Sequence, residues 1–315
     1  MTQPKSAAQA RSAWTEVRVD VPRGWQELVA EALSFGPCTT VALGPTSIAA
    51  PQPPPDREAV RTFVPAREDT PALRDEVQER LARLVDAVAD PELAGLEPRF
   101  KRLPPEDYAT SWKKSWRPFR VGRLALLPPW MDGDPPRPTD VRLTIEPGAS
   151  FGSGRHATTR TCLREIDRRI RGDERILDAG TGSGVLSVAA LLLGAREAFG
   201  FDLDPGSAPA ATELAEANGV GARCSFREAD FGALDAVEGS FDAVFANIYA
   251  DVLMTYCYDL GQRLAPTGWF VFSGCRIDHV DATREALLAS DLVVDEERLR
   301  GRWMTFIGRR ADAPA

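Results

Sequence analysis

Histidine and cysteine are scarce: two and five in 315 residues. The cysteines, Cys38, Cys162, Cys224, Cys257 and Cys275, stand far apart with no Cys-x-x-Cys pair, and only His156 and His279 could assist them. A structural zinc site needs four such ligands at close spacing, so no metal is expected. Long apolar runs are missing too. No stretch approaches the roughly eighteen apolar residues of a membrane span, and residues 1–13 are polar, without the apolar core of an export signal. The expectation is a soluble cytoplasmic protein with no membrane partner. Basic residues are the minority, 38 Lys and Arg against 46 Asp and Glu, for a net charge of -8. That balance works against non-specific attachment to phosphate backbones, which depends on clustered cations, so no direct DNA binding is expected. It suits a basic protein partner better, although a local groove can carry its own sign. Internal repeats are absent.

What the chain does have is enough apolar substance, 43% of its residues, for a large domain and a smaller one. Over 12–104 the pattern reads strand (16–19), helix (25–35), strand (40–43), strand (60–64), helix (71–88), strand (97–102). The order βαββαβ predicts an α+β ferredoxin-like domain, interrupted by a proline-rich loop over 51–55 that cannot join a sheet ladder. Residues 105–140 hold Trp112, Trp116, Trp130 and a short apolar segment over 121–127, and read as a linker. Trp112 and Trp116, four apart, would share one helix face and suit packing against a neighbouring domain.

From 141 to 312 strands alternate with helices, the signature of an α/β, Rossmann-like doubly wound sheet. Strands are expected over 175–179, 198–202, 224–228, 243–246, 269–273, 292–297 and 303–308, with helices over 158–170, 185–193 and 205–218. The last two strands lie too close for a crossover helix and must pair antiparallel, giving a seven-stranded mixed sheet with a terminal hairpin.

The first of these strands, Arg175-Ile176-Leu177-Asp178-Ala179, runs into Gly180-Thr181-Gly182-Ser183-Gly184 and then into an apolar helix. Glycines let the chain turn sharply and let a ligand approach its backbone. Twenty-two positions beyond Gly180, Asp202 ends the second strand, where a carboxylate can accept both hydroxyls of a ribose. A dinucleotide fingerprint wants a third glycine at position 185, which is Val; the third glycine is Gly184. This spacing favours S-adenosylmethionine over NAD, with Gly180, Gly182 and Gly184 wrapping the amino-acid end of the cofactor. Asp230, just after the third strand, stands where an adenine amino group can be hydrogen-bonded.

The fourth strand delivers Asn247-Ile248-Tyr249 to the same edge. Methyl transfer to nitrogen needs a neutral lone pair aligned with the S–CH3 bond, and the carbonyl of Asn247 can accept the amine's hydrogens and aim it. At pH 7 only about one lysine in a few thousand is neutral, a cost of about 4.6 kcal/mol, which desolvation near a cationic sulfonium lowers. Upstream, the segment Phe151-Gly152-Ser153-Gly154-Arg155-His156-Ala157-Thr158-Thr159 is a glycine-punctuated loop entering a helix. Thr158 or Thr159 is expected to cap that helix, the loop with Phe151 is a candidate lid, and His156 reads as a loop hydrogen-bonder ahead of a base.

These stretches, with the tryptophan-rich connector, resemble the ribosomal protein L11 methyltransferases over nearly the whole chain. The resemblance implies a ferredoxin-like domain that docks the substrate protein, a linker, and a class I methyltransferase domain acting on lysine and N-terminal amines without a metal. It further implies cofactor contacts at Thr159, Gly180, Asp202 and Asn247, with Asn247 facing the acceptor amine; Phe151, His156, Ile248 and Tyr249 are expected on the substrate or lid side. The chain has Arg155, Ala157 and Tyr249 where the family usually has Thr, Pro and Leu, so a methyltransferase for a different protein stays open. A second enzyme reading takes Asn247-Ile248-Tyr249 as a loose form of the Asn-Pro-Pro-Tyr motif of nucleic-acid amino-methyltransferases, with Tyr249 stacking on a flipped base; the missing prolines and acidic balance count against it. A non-catalytic binding module is opposed by the intact glycine loop with Asp202.

Overall fold

A computed structural model of the chain describes residues 13–36, 38, 41–43, 54, 56–103, 118–131, 137–145, 154, 156–237 and 239–312. The chain forms two compact units, Met1–Arg117 and Pro118–Ala315.

In the first unit the element order is β1 (Trp14–Pro22), α1 (Gln26–Ala32), β2 (Val41–Leu43), β3 (Arg57–Pro65), α2 (Pro71–Val88) and β4 (Arg99–Leu103). The sheet order is β2-β3-β1-β4, every neighbouring pair antiparallel, which is the split βαβ connectivity. Val17, Val19 and Val21 alternate onto one face of β1 and bury Val29, Leu33, Val77 and Leu81 of the helical layer. Helix α2 keeps the expected span 71–88: Thr70 caps it by accepting the Leu73 N–H at 3.2 Å, Pro71 opens it, and Ala89 ends it in the left-handed region. Of the proline-rich stretch 51–55 only Pro54 belongs to the described residues.

The second unit opens with β5 (Phe119–Val121), β6 (Leu124–Leu127) and β7 (Val141–Thr144), in which β5 and β6 are antiparallel and β6 and β7 parallel. The sequence pattern reads 105–140, with its apolar segment 121–127, as a linker. Its apolar run instead makes two strands about the two-residue turn Gly122-Arg123, and Leu124, Leu126 and Leu143 join the core of this unit. Trp130 is half-buried; Trp112 and Trp116 lie outside the described residues.

The main body alternates α3 (Ala157–Arg169), β8 (Arg175–Ala179), α4 (Val185–Leu192), β9 (Glu197–Asp202), α5 (Ser207–Ala217), β10 (Cys224–Glu228), β11 (Phe241–Asn247), α6 (Ala250–Gln262), β12 (Leu264–Arg276), α7 (Val280–Ala289), β13 (Leu292–Arg300) and β14 (Trp303–Arg310). Sheet order is β10-β9-β8-β11-β12-β14-β13. Strands β8 to β12 are parallel, while β14 is antiparallel to both neighbours, so the seven-stranded sheet is mixed and ends in the hairpin expected from the sequence. Its central strands are apolar on both faces, and two cores cover them: Val188, Ala189, Phe245 and Val271 on one side, Leu177, Val244, Leu253 and Phe272 on the other. Among the described residues no helix is long and apolar enough to cross a membrane.

Candidate functional site

The strand order steps outward from β8 to β10, then returns to the other side of β8 for β11. Chains leaving β8 and β11 therefore diverge, and the crevice between them at the carboxyl edge is where doubly wound sheets bind ligands. Register fixes what meets there. Ala179 lies level with Ala246 on one side and Phe201 on the other, so Gly180 leaves the sheet between Asn247 and Asp202.

The loop after β8 is built of left-handed glycines, with φ of 70°, 52° and 77° at Gly180, Gly182 and Gly184. A side chain at Gly180 would place its Cβ 2.3 Å from the Ile248 Cγ2, so the glycine is what allows β11's continuation to close over the loop. Asp202 straightens the loop from the other side: its Oδ2 accepts the Gly182 N–H at 2.8 Å and its Oδ1 the Asp204 N–H at 2.9 Å. A carboxylate has about four acceptor sites, so each oxygen keeps a lone pair for a further donor.

Beneath the loop, Asp178 is 1% exposed. Thr181 Oγ1 (2.9 Å) and Ser187 Oγ (2.7 Å) donate to its Oδ2, while Oδ1 is buried with no hydrogen-bond partner. Burial pushes the carboxyl up to about 6, the two hydroxyl hydrogen bonds pull back, and the neighbouring Asp202 adds to the rise. The sequence reading assigned Asp178 no role, yet an acid within an otherwise apolar strand entering a glycine loop is the signal that marks it.

Asn247 ends β11, half-buried, and its Nδ2 donates to the Thr159 Oγ1 at 3.3 Å. Thr159 is 1% exposed and fixed in the first turn of α3. That bond turns the amide so that the Oδ1 carbonyl remains as an acceptor. The next residue is anchored from β12: the Ile248 N–H donates to the Ser273 carbonyl at 3.1 Å. Gly274 (φ 89°) follows in a β-bulge against β14, so close that a Cβ would stand 2.1 Å from the Ile248 carbonyl oxygen. Sequence reading missed Gly274 because no local motif surrounds it. Tyr249, 54% exposed, begins α6 at the rim.

Helix α3 is capped by neither threonine. His156 is its N-cap, with Nδ1 accepting the Thr158 N–H at 3.2 Å and lying 2.5 Å from the Thr158 hydroxyl. The expectation of a Thr158 or Thr159 cap fails because both side chains are turned inward and buried. The His156 ring packs edge-on against Trp303 at 5.3 Å, and burial lowers its pKa to about 4, so it is neutral near pH 7. Asp230 sits farther out, exposed after β10, and accepts the Gly232 N–H at 2.9 Å as cap of the short turn Phe231–Ala236. Phe151 and Arg155 lie outside the described residues. The site thus brings together Thr159, Gly180, Gly182, Gly184, Asp202, Asn247 and Ile248, with Tyr249 at its rim, His156 against Trp303 one turn along α3, and Asp230 two strands away.

A family model described as ribosomal protein L11 methyltransferase matches residues 13–311. A ribosomal protein L11 methyltransferase of Pelobacter propionicus is 32% identical over 313 residues, 95% of this chain and 98% of its own. One of Symbiobacterium thermophilum is 36% identical over 236 residues, 73% of this chain and 75% of its own. Among solved structures, a ribosomal protein L11 methylase of Lactobacillus delbrueckii subsp. bulgaricus superposes with a TM-score of 0.57 at 30% identity, covering 62% of this chain and 99% of its own. Methyltransferases of this class draw their methyl group from S-adenosylmethionine in general. With nearly every residue from the first strand to the last matched, the chain belongs to the ribosomal protein L11 methyltransferase family.

Proposed function

We propose that this chain is a cytoplasmic S-adenosylmethionine-dependent N-methyltransferase acting on lysine side chains or N-terminal amines of ribosomal protein L11, with the N-terminal unit, residues 12–104, holding the substrate protein. When bound, S-adenosylmethionine supplies an electrophilic methyl group on a cationic sulfonium. The residues present fit it. Two carboxylates, Asp178 and Asp202, flank the glycine loop, and Asp178 has a buried oxygen without a partner. Such a site attracts a cationic nucleoside and would repel the pyrophosphate of a dinucleotide.

Asp202 uses its remaining lone pairs on the ribose hydroxyls, Gly180, Gly182 and Gly184 admit the amino-acid end, and Asp230 accepts from the adenine amino group. Asn247 receives the acceptor: its Oδ1, left available by the bond from Nδ2 to Thr159, accepts a hydrogen of the amine and points the nitrogen lone pair at the reacting carbon. Ile248 and Tyr249 line the approach and strip water from the amine, which lowers its pKa and favours the neutral nucleophile. His156, neutral and engaged as a helix cap, orients α3 and thereby Thr159.

The arrangement that carries the reading is the Asn247 amide, fixed by Thr159, immediately beside Gly180 at the switch point of the sheet. Incubation with methyl-labelled S-adenosylmethionine and either purified ribosomal protein L11 or bare nucleic acid tests it. Label is expected on the protein alone; label on nucleic acid alone would move the reading to an amino-methyltransferase. Asn247→Ala should lower kcat by about 10²-fold or more, the size of effect seen when one positioning hydrogen bond at a reacting centre is removed, while the Kd for S-adenosylmethionine stays within tenfold. Undiminished turnover in that variant refutes the role.

A further inference from the structure

The contact between α3 and β13 is a charged layer whose balance changes along its length. Alternation puts Glu296, Arg298 and Arg300 on one face of β13, and ion pairs show that this face meets α3. Glu296 pairs with Arg168 at 3.6 Å and Arg169 at 2.5 Å, and Arg298 reaches Glu165 at 3.7 Å and bonds Glu296. Glu165, 1% exposed, also holds Arg168 at 3.1 Å and Arg169 at 3.5 Å. Two acids thus answer three guanidiniums in this part of the layer.

Toward the carboxyl edge the acids stop. Arg300 continues the β13 face by one step, and Arg164 and Arg160 continue α3 by successive turns. None of these three guanidiniums forms an ion pair or hydrogen bond among the described residues. The Arg160 Nε is shielded from solvent with no acceptor, its guanidinium lying 5.6 Å over the Phe119 ring. Its pKa is depressed by burial first, then by the like charges of Arg300 and Arg164. In a chain of net charge -8, three guanidiniums without an acidic partner among the described residues make a local excess of positive charge that favours an anion.

The cluster also borders the transfer site. Arg160 follows Thr159, which holds Asn247, and His156, one turn earlier, packs on Trp303, three residues beyond Arg300. Exposed apolar side chains stand at the same edge of the sheet: Tyr249 after β11 and Ile277 after β12, at 54% and 46% exposure. The Ile277 N–H is tied to the Arg302 carbonyl of the hairpin at 2.9 Å. Apolar side chains at the edge that these guanidiniums also border match a protein surface bearing a carboxylate. A phosphate backbone would call for a longer basic stripe.

We propose that Arg160, Arg164 and Arg300 form a recognition site for an Asp or Glu side chain that lies near the acceptor amine on the substrate protein. The guanidiniums offer bidentate donors to that carboxylate, so that its docking sets which amine arrives at Asn247. The proposal rests on the methyltransferase reading above and adds an acidic determinant to it.

A double-mutant cycle tests it, with full-length enzyme, methyl-labelled S-adenosylmethionine and ribosomal protein L11. Arg164→Ala/Arg300→Ala should raise KM for L11 about tenfold with kcat and the Kd for S-adenosylmethionine unchanged. Among L11 variants in which each Asp or Glu is changed to Asn or Gln, one should show the same tenfold loss with the wild-type enzyme and no further loss with the double variant. Losses that multiply for every L11 variant, or a double variant with the wild-type KM, overturn the proposal. Inhibition by a ribosomal RNA fragment that disappears in the double variant would also overturn it, assigning the cluster to phosphate. If the wild-type enzyme labels no L11 at all, it is the methyltransferase reading that falls.

Discussion

Gly274 is far from the glycine loop in sequence, yet its replacement is the sharpest available probe of how the proposed transfer site is held. An added Cβ would lie 2.1 Å from the Ile248 carbonyl oxygen and 2.7 Å from its carbon, where ordinary C···O contacts begin at roughly 3.3 Å. The two strands must open by about 1 Å, and the displaced backbone belongs to the residue after Asn247. A shift of about 1 Å in a positioning group can lower a rate about 10²-fold. Left-handed backbone adds a strain of roughly 1–2 kcal/mol for any residue with a Cβ. Gly219 separates the two effects. Its φ is 70° and an added methyl would meet nothing within 4 Å, so Gly219→Ala carries the strain without the collision. Both variants should lose a few degrees of Tm. Only Gly274→Ala should lose kcat, by about 10²-fold, measured as initial rates at saturating S-adenosylmethionine on protein confirmed folded by circular dichroism. If Gly274→Ala turns over within threefold of wild type, or if Gly219→Ala falls as far, the geometry assigned to Ile248 and Asn247 is wrong.

Asp178 and His156 make opposite contributions as pH changes. The Asp178 carboxyl is raised from 3.8 to about 6, so its favourable contribution is present below pH 3.8 and is lost as pH rises through about 6, a penalty of up to about 3 kcal/mol above that. Asp178→Asn, which keeps an acceptor for Thr181 and Ser187, should therefore stabilise the ligand-free protein at pH 8 in urea titrations, lose that advantage near pH 4, and weaken S-adenosylmethionine binding; equal stability at pH 8 would count against the buried charge. His156 is lowered from 6.5 to about 4, so its contribution is present above pH 6.5 and lost as pH falls through about 4. His156→Gln, still able to accept at the helix cap, should lessen acid destabilisation between pH 6.5 and 4 and leave the shape of the kcat profile from pH 6.5 to 8 unchanged; a lost ionisation in that profile would instead make His156 a base.

The catalytic sheet was legible because each element carries its own local signal. The apolar strands β8, β9, β11 and β12 can be buried on both faces only between helical layers, and the short gap between β13 and β14 leaves no room for anything but a hairpin. Helix α2 was legible over 71–88, where Thr70 caps it and Pro71 opens it, although its end at the left-handed Ala89 carries no sequence signal. The strand pair built on the apolar segment 121–127 was not. Periodicity does not distinguish a short apolar linker from a strand pair, and what decides it, the pairing of β6 with β7 across the intervening residues, is a long-range contact.

The same division explains the site. The positions of Gly180, Gly182, Gly184, Asp202 and Asn247 at one sheet edge were readable because they lie at or just after strand ends, where the alternation of strand and helix fixes position without knowledge of packing. What escaped was everything that acts through a neighbour. The His156 cap depends on both threonines being drawn into the core, the role of Gly274 depends on a bulge in a strand two places from the glycine loop, and Asp178 matters because burial leaves one of its oxygens unsatisfied. Each is a property of a pair of elements. A substitution that preserves every motif residue can therefore still disable the site, and Gly274→Ala is the case in which only β12 changes while Asn247, Asp202 and the glycine loop keep their sequence.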